Sequence, residues 1–222
     1  INVRAWGEDP CTAGSLAAAF QRGLSAGGVL GCAKHFPGHG DTASDSHLDL
    51  PVLPHDRERL ERIELPPFRA AIAAGVDSVM TAHLLLPQLD PERPATLSPT
   101  VLTDLLRRDL GFEGLIVTDA LVMEAIASRH GAGEAAVLAF EAGADLILMP
   151  ADAEAAITAL CDGFSSERLP LQRLHQALQR RRAALQRIAS SEQPATTISL
   201  AADRQLEACL LYTSDAADDV NG

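Results

Sequence analysis

Four short apolar runs, each closed by polar, ionisable or turn residues, constrain this chain more than any other feature. They are Val29-Leu30-Gly31-Cys32-Ala33, residues 75–82 (GVDSVMTA), Gly114-Leu115-Ile116-Val117-Thr118 and residues 142–149 (AGADLILM). Runs this short and this apolar suit strands buried on both faces, as in a parallel sheet. Helical patterns separate them. Ser98-Pro99 is a start signal, after which Val101, Leu102, Leu105, Leu106 and Leu110 share one face and Gly111 ends the helix. Further helices are expected over residues 66–74 and 171–189, the latter with Leu171, Leu174, Leu178, Leu185 and Ile188 at core spacing. Its arginines (Arg173, Arg180, Arg181, Arg182 and Arg187) read as a solvated face. Strand alternating with helix predicts an α/β fold on a parallel sheet. Lys34, His35, His83 and Asp119 each stand just past an apolar run. In a (β/α)8 barrel the chemistry sits at that end of the strands, so a TIM-type barrel enzyme is expected.

Charge and composition exclude other classes. Thirty acidic against 18 basic side chains give a formal charge of −12, which repels phosphate backbones and argues against nucleic acid. No run approaches the roughly 20 apolar residues of a membrane span. Cys11, Cys32, Cys161 and Cys209 are scattered, without the close pairs of zinc sites, and read as reduced thiols. No charged-then-apolar leader stands at Ile1, so no signal peptide is read there.

The densest polar stretch is KHFPGHGDTASDSH, residues 34–47, a glycine- and proline-bearing loop. His47 lies two residues after Asp45, close enough for the carboxylate to orient the ring and stabilise its charged form. Asp119 is the best-placed isolated carboxylate, either as a nucleophile near a cation such as Lys34 or as a cap for the next helix. His83 either hydrogen-bonds a neighbouring strand end or joins His35, His39, His47 and Asp119 as ligands in a metal-dependent hydrolase. His55, His130 and His175 read as surface residues.

Residues 34–47 resemble the signature of glycoside hydrolase family 3, in particular its bacterial β-N-acetylhexosaminidases. RAWGEDP (residues 4–10), VMTAH (79–83), ATLSP (95–99), LGFEGLIVTDALVMEAI (110–126) and AGADLIL (142–148) also resemble family segments. The resemblance implies a retaining glycosidase, a cytoplasmic monomer, that releases terminal β-linked N-acetylglucosamine from peptidoglycan-derived fragments, of the N-acetylglucosaminyl-anhydromuramoyl type, with no metal or cofactor. By the same resemblance, Asp119 is the nucleophile, His47 the general acid/base and Asp45 its partner. Lys34 and His35 hold sugar hydroxyls, and Arg4 is a further substrate contact. Use of a histidine departs from the usual pair of carboxylates. A neutral imidazole repels phosphate less than a carboxylate, so a phosphorylase of the same family is an alternative, as is a β-glucosidase.

Against the family pattern, residues 1–189 correspond to roughly the last two-thirds of an eight-stranded barrel domain, early strands missing. A smaller open α/β fold is the alternative, and the fragment alone is expected to be inactive. Residues 190–208 read as a polar linker or tail. Residues 209–222 read as a non-native tail, because CLLYTSDAAD resembles translated sequencing adapter.

Overall fold

The computed structural model describes residues 5–42 and 49–190, which form an α/β structure on a parallel sheet. Strands β1 (Cys32–Phe36), β2 (Ser78–Thr81) and β3 (Leu115–Val117) lie side by side in that order. Cys32 faces Ser78 and Phe36 faces Thr81 across the first pair; Val79 faces Ile116 across the second. The fourth apolar run follows β3 in parallel but pairs only briefly. Leu146 bridges Val117, and the Ile116 carbonyl accepts the Asp145 and Leu146 N–H groups at 2.7 and 3.1 Å.

β1 begins later than the apolar run predicts. The Val29 N–H donates to the Leu24 carbonyl at 2.9 Å, so Val29 belongs to the turn that ends the preceding helix. Lys34 and His35 are therefore strand residues rather than residues beyond a strand.

The helices are α1 (Pro10–Ala26), α2 (Arg57–Arg59), α3 (Leu65–Ala73), α4 (Glu124–Ala127), α5 (Ala132–Ala142), α6 (Ala153–Ser165) and α7 (Leu171–Ser190). A π-helical segment, Leu60–Glu64, joins α2 to α3; a 3-10 turn, Ala95–Leu97, precedes a π-wound helix, Thr100–Asp109. α1 starts on a proline after Asp9, whose carboxylate accepts the Thr12 N–H at 2.7 Å. It packs closely on α3 at Gly14, where a Cβ would lie 3.2 Å from that of Ala70. Phe36, Val79 and Ile116 from the strands meet Leu102, Leu105 and Leu106 from the π-wound helix in one buried core.

α7 departs from its expected polarity. Leu171, Leu178, Leu185 and Ile188 are exposed, and the inner seam is Arg173, Leu174, Ala177 and Arg180. Arg181 and Arg182 are exposed as expected, but Arg173 and Arg180 reach Asp145 at 2.9 and 3.2 Å. Arg187 pairs with Asp77, and Arg107 also pairs with Asp145. The arginines hold the entrances of two strands. In Gly75-Val76-Asp77 and Gly143-Ala144-Asp145 a left-handed glycine (φ 79° and 127°) turns the chain into the sheet. The aspartate two residues on then accepts an N–H from the neighbouring segment: from Gly31, just before β1, to Asp77 at 2.8 Å, and from Ile116 of β3 to Asp145 at 3.0 Å. The Asp145 side chain is fully buried. Burial is the main reason the Arg107 pKa is lowered to about 10; Asp145 opposes the shift, and Arg180 and Arg173 add to it. Asp145→Ala would leave these guanidiniums without their shared counter-charge. It is expected to destabilise the fold by about 3–5 kcal/mol, read from urea unfolding against the unsubstituted chain.

Candidate active site

The strands bring two of the residues singled out in the sequence, His35 and Asp119, next to each other. Lys34 and His35 come from β1, and Asp119 lies two residues past β3. His35 Nε2 stands 3.7 Å from Asp119 Oδ2, with both side chains largely buried. The other oxygen, Oδ1, accepts the Ala120 N–H at 2.8 Å. One oxygen thus meets a backbone N–H and the other lies near an imidazole nitrogen, on a carboxylate that keeps about a fifth of its surface open (19%). Asp119 does not cap the following helix: α4 begins after Met123, and the Asp119 side chain turns to its own neighbour instead. Lys34 is exposed on the same strand. Arg4, Asp45 and His47 lie outside the described residues.

Gly38 sets how closely the loop after β1 approaches the helical layer. It adopts φ 136°, and a Cβ there would stand 2.9 Å from Cβ and Cγ of Glu64. Along that loop His39 Nδ1 meets the Thr42 hydroxyl at 2.8 Å, and the His35 and His39 rings sit edge to face at 6.1 Å. Asp41 and His55, from the two sides of residues 43–48, pair at 2.9 Å. His55 is thus half-buried, not the surface residue that its polar context suggested.

Asp41, His55 and Glu64 bring candidate ligand atoms within 4.8 Å of one another. Arg59, however, bridges both carboxylates, 3.3 Å from Asp41 and 3.0 Å from Glu64. A guanidinium already offsets part of their charge, and the arrangement reads as an ion-pair network. His83 does not suit a metal either. It is fully buried, its Nδ1 meeting Thr96 Oγ1 at 2.8 Å and its Nε2 the Ala120 carbonyl at 2.9 Å. Both ring nitrogens are engaged, which removes one ligand from the metal-hydrolase set.

Sequence reasoning missed Thr81, Thr96 and Thr118, all fully buried polar residues around the strand ends. Thr96 contacts Thr81 at 2.7 Å, and the Leu148 N–H donates to Thr118 at 2.9 Å. A signal for the first existed: Thr81 and His83 sit two apart at a strand end and so share a side.

The chain matches the family description "Glycosyl hydrolase family 3 N terminal domain" over residues 1–183. It is 42% identical over 165 residues to a beta-hexosaminidase of Neisseria gonorrhoeae (strain NCCP11945), covering 74% of this chain and 45% of the relative. Its fold is similar to a glycoside hydrolase family 3 beta-N-acetylglucosaminidase from Paenibacillus sp. str. FPU-7 (TM-score 0.83, 48% identity), covering 89% of this chain and 38% of that one. A beta-glucoside phosphorylase also matches (TM-score 0.81, 29% identity), over 87% of this chain and 37% of its own. The chain thus spans less than half the length of each of these proteins. With the match running from residue 1 through β1, β2, β3 and into α7, this chain belongs to the glycosyl hydrolase family 3 N-terminal domain family.

Proposed function

We propose that this chain carries the reacting groups of a retaining glycoside hydrolase that removes terminal β-linked N-acetylglucosamine. The observation that carries the reading is Asp119, a carboxylate about a fifth open past a strand end, with His35 3.7 Å from one oxygen and an N–H on the other. In this reading Asp119 attacks the anomeric carbon and forms a glycosyl-enzyme. His47, its imidazolium stabilised by Asp45, first gives a proton to the departing oxygen and then takes one from the attacking water. Lys34, His35 and Arg4 bind sugar hydroxyls. The hexosaminidase and acetylglucosaminidase relatives support the sugar.

The parallel strands are read as part of a (β/α)8 barrel, with the site at their C-terminal ends. Residues 1–189 are read as the barrel portion; of the linker or tail read over 190–208 only Ser190 is described, as the end of α7, and the non-native tail read over 209–222 lies outside the described residues. The substrate is a peptidoglycan-derived N-acetylglucosaminyl-anhydromuramoyl fragment, handled by a cytoplasmic monomer in cell-wall recycling. Among the described residues no helix is long and apolar enough to cross a membrane.

The test is hydrolysis of aryl glycosides by the product of the complete open reading frame. Faster turnover of the N-acetyl-β-glucosaminide than of the β-glucoside, at a rate unchanged by added phosphate, is the expected result. Phosphate-dependent turnover yielding a sugar 1-phosphate would replace the hydrolase with a phosphorylase, the reading favoured by the matching beta-glucoside phosphorylase.

A further inference from the structure

Beneath Asp119 runs a buried polar chain that the proposed chemistry does not use. His83 stands two residues past β2, and its ring lies between the 3-10 turn Ala95–Leu97 and the segment after β3. A carbonyl only accepts, so the 2.9 Å contact from Nε2 to the Ala120 oxygen requires the ring proton to be on Nε2. Nδ1 meets the Thr96 hydroxyl at 2.8 Å. Thr96 is a hub: its Oγ1 also meets Thr81 Oγ1 at 2.7 Å and the Ala82 carbonyl at 3.0 Å. Thr81 in turn accepts the Asp119 N–H at 3.4 Å. His83, Thr81 and Thr96 are fully buried, so water does not compete for these groups.

The consequence concerns how the Asp119–Ala120 backbone is held. The Asp119 N–H is fixed from Thr81, and the Ala120 carbonyl from His83 and from the Met123 N–H at 3.1 Å. Between these points one N–H, that of Ala120, is left to face the Asp119 carboxylate at 2.8 Å. Rotation of the Ala120 backbone would move that N–H and the oxygen it holds together. We infer that His83, braced by Thr96, is a positioning residue for Asp119, setting the carboxylate's angle of attack through the Ala120 backbone. This rests on the reading of Asp119 as the nucleophile. His83 is fully buried, so its part is to hold the backbone.

The test uses the product of the complete open reading frame carrying His83→Leu, His83→Gln, Thr96→Val or Asp119→Ala. Each variant is assayed on an aryl N-acetyl-β-glucosaminide and followed in thermal unfolding. Misplacing a reacting group by about 1 Å costs on the order of 100-fold, so His83→Leu is expected to lower kcat by roughly that factor with KM within about threefold. Gln keeps an N–H donor for the Ala120 carbonyl and should recover kcat to within about fivefold of the parent. Thr96→Val, nearly isosteric, should lower kcat about tenfold and serves if His83→Leu does not fold. A kcat unchanged in the folded leucine and valine variants would overturn the inference. So would a glutamine variant as slow as the leucine one. Activity in Asp119→Ala would instead overturn the nucleophile reading, separating the two failures.

Discussion

Asp119→Ala is expected to lower kcat of the complete enzyme about 10,000-fold or more, because no other group can form the glycosyl bond it makes. The fold should survive. The carboxylate is partly open, and its one hydrogen bond among the described residues is to the adjacent Ala120 N–H. A loss of about 1 kcal/mol in urea unfolding is the expected structural cost. Activity loss without unfolding is what separates a nucleophile from a structural aspartate. Asp145 should behave in the opposite way, since its replacement removes a counter-charge shared by Arg107, Arg173 and Arg180 and costs stability first.

His47→Ala should lower kcat between roughly 100-fold and 10,000-fold, the range for loss of a positioned acid/base. The size of the loss should depend on the leaving group. A dinitrophenolate needs no proton to depart, so the first step on that glycoside should be nearly spared while the second stalls for want of a base. Added azide attacks without a general base and should restore turnover, giving the β-glycosyl azide. Steady-state rates on paired leaving groups, with and without azide, check this. Equal losses on both and no response to azide would remove His47 from the acid/base role.

Much of the site was legible because chemistry and topology coincide at strand ends. An apolar run stopping at Asp119 announces a polar group where loops converge, and the structure places His35 of β1 beside it. The extent of β1 was not legible. Val29 looks like a strand residue, yet its N–H closes the turn after α1. The role of the α7 arginines was hidden for a different reason. Charges spaced along a helix look like a solvated face, and only the tertiary position of Asp145 shows that Arg173 and Arg180 point inward. Thr96 illustrates the same limit. Nothing local to residues 95–97 says that this hydroxyl meets a histidine 13 positions earlier. The pairing of Asp41 with His55, and of both carboxylates with Arg59, likewise depends on how the loop folds back on the helices.

The central claim is that Asp119 forms a covalent bond to the sugar. The most direct measurement is to treat the product of the complete open reading frame with a fluorinated N-acetylglucosaminyl donor that loads the enzyme faster than it leaves, and to map the labelled peptide by mass spectrometry. The account predicts a single adduct, one sugar in mass, on the peptide carrying Asp119, and a first-formed hydrolysis product of β configuration. An adduct on a different side chain, or no adduct together with an α product, would contradict it.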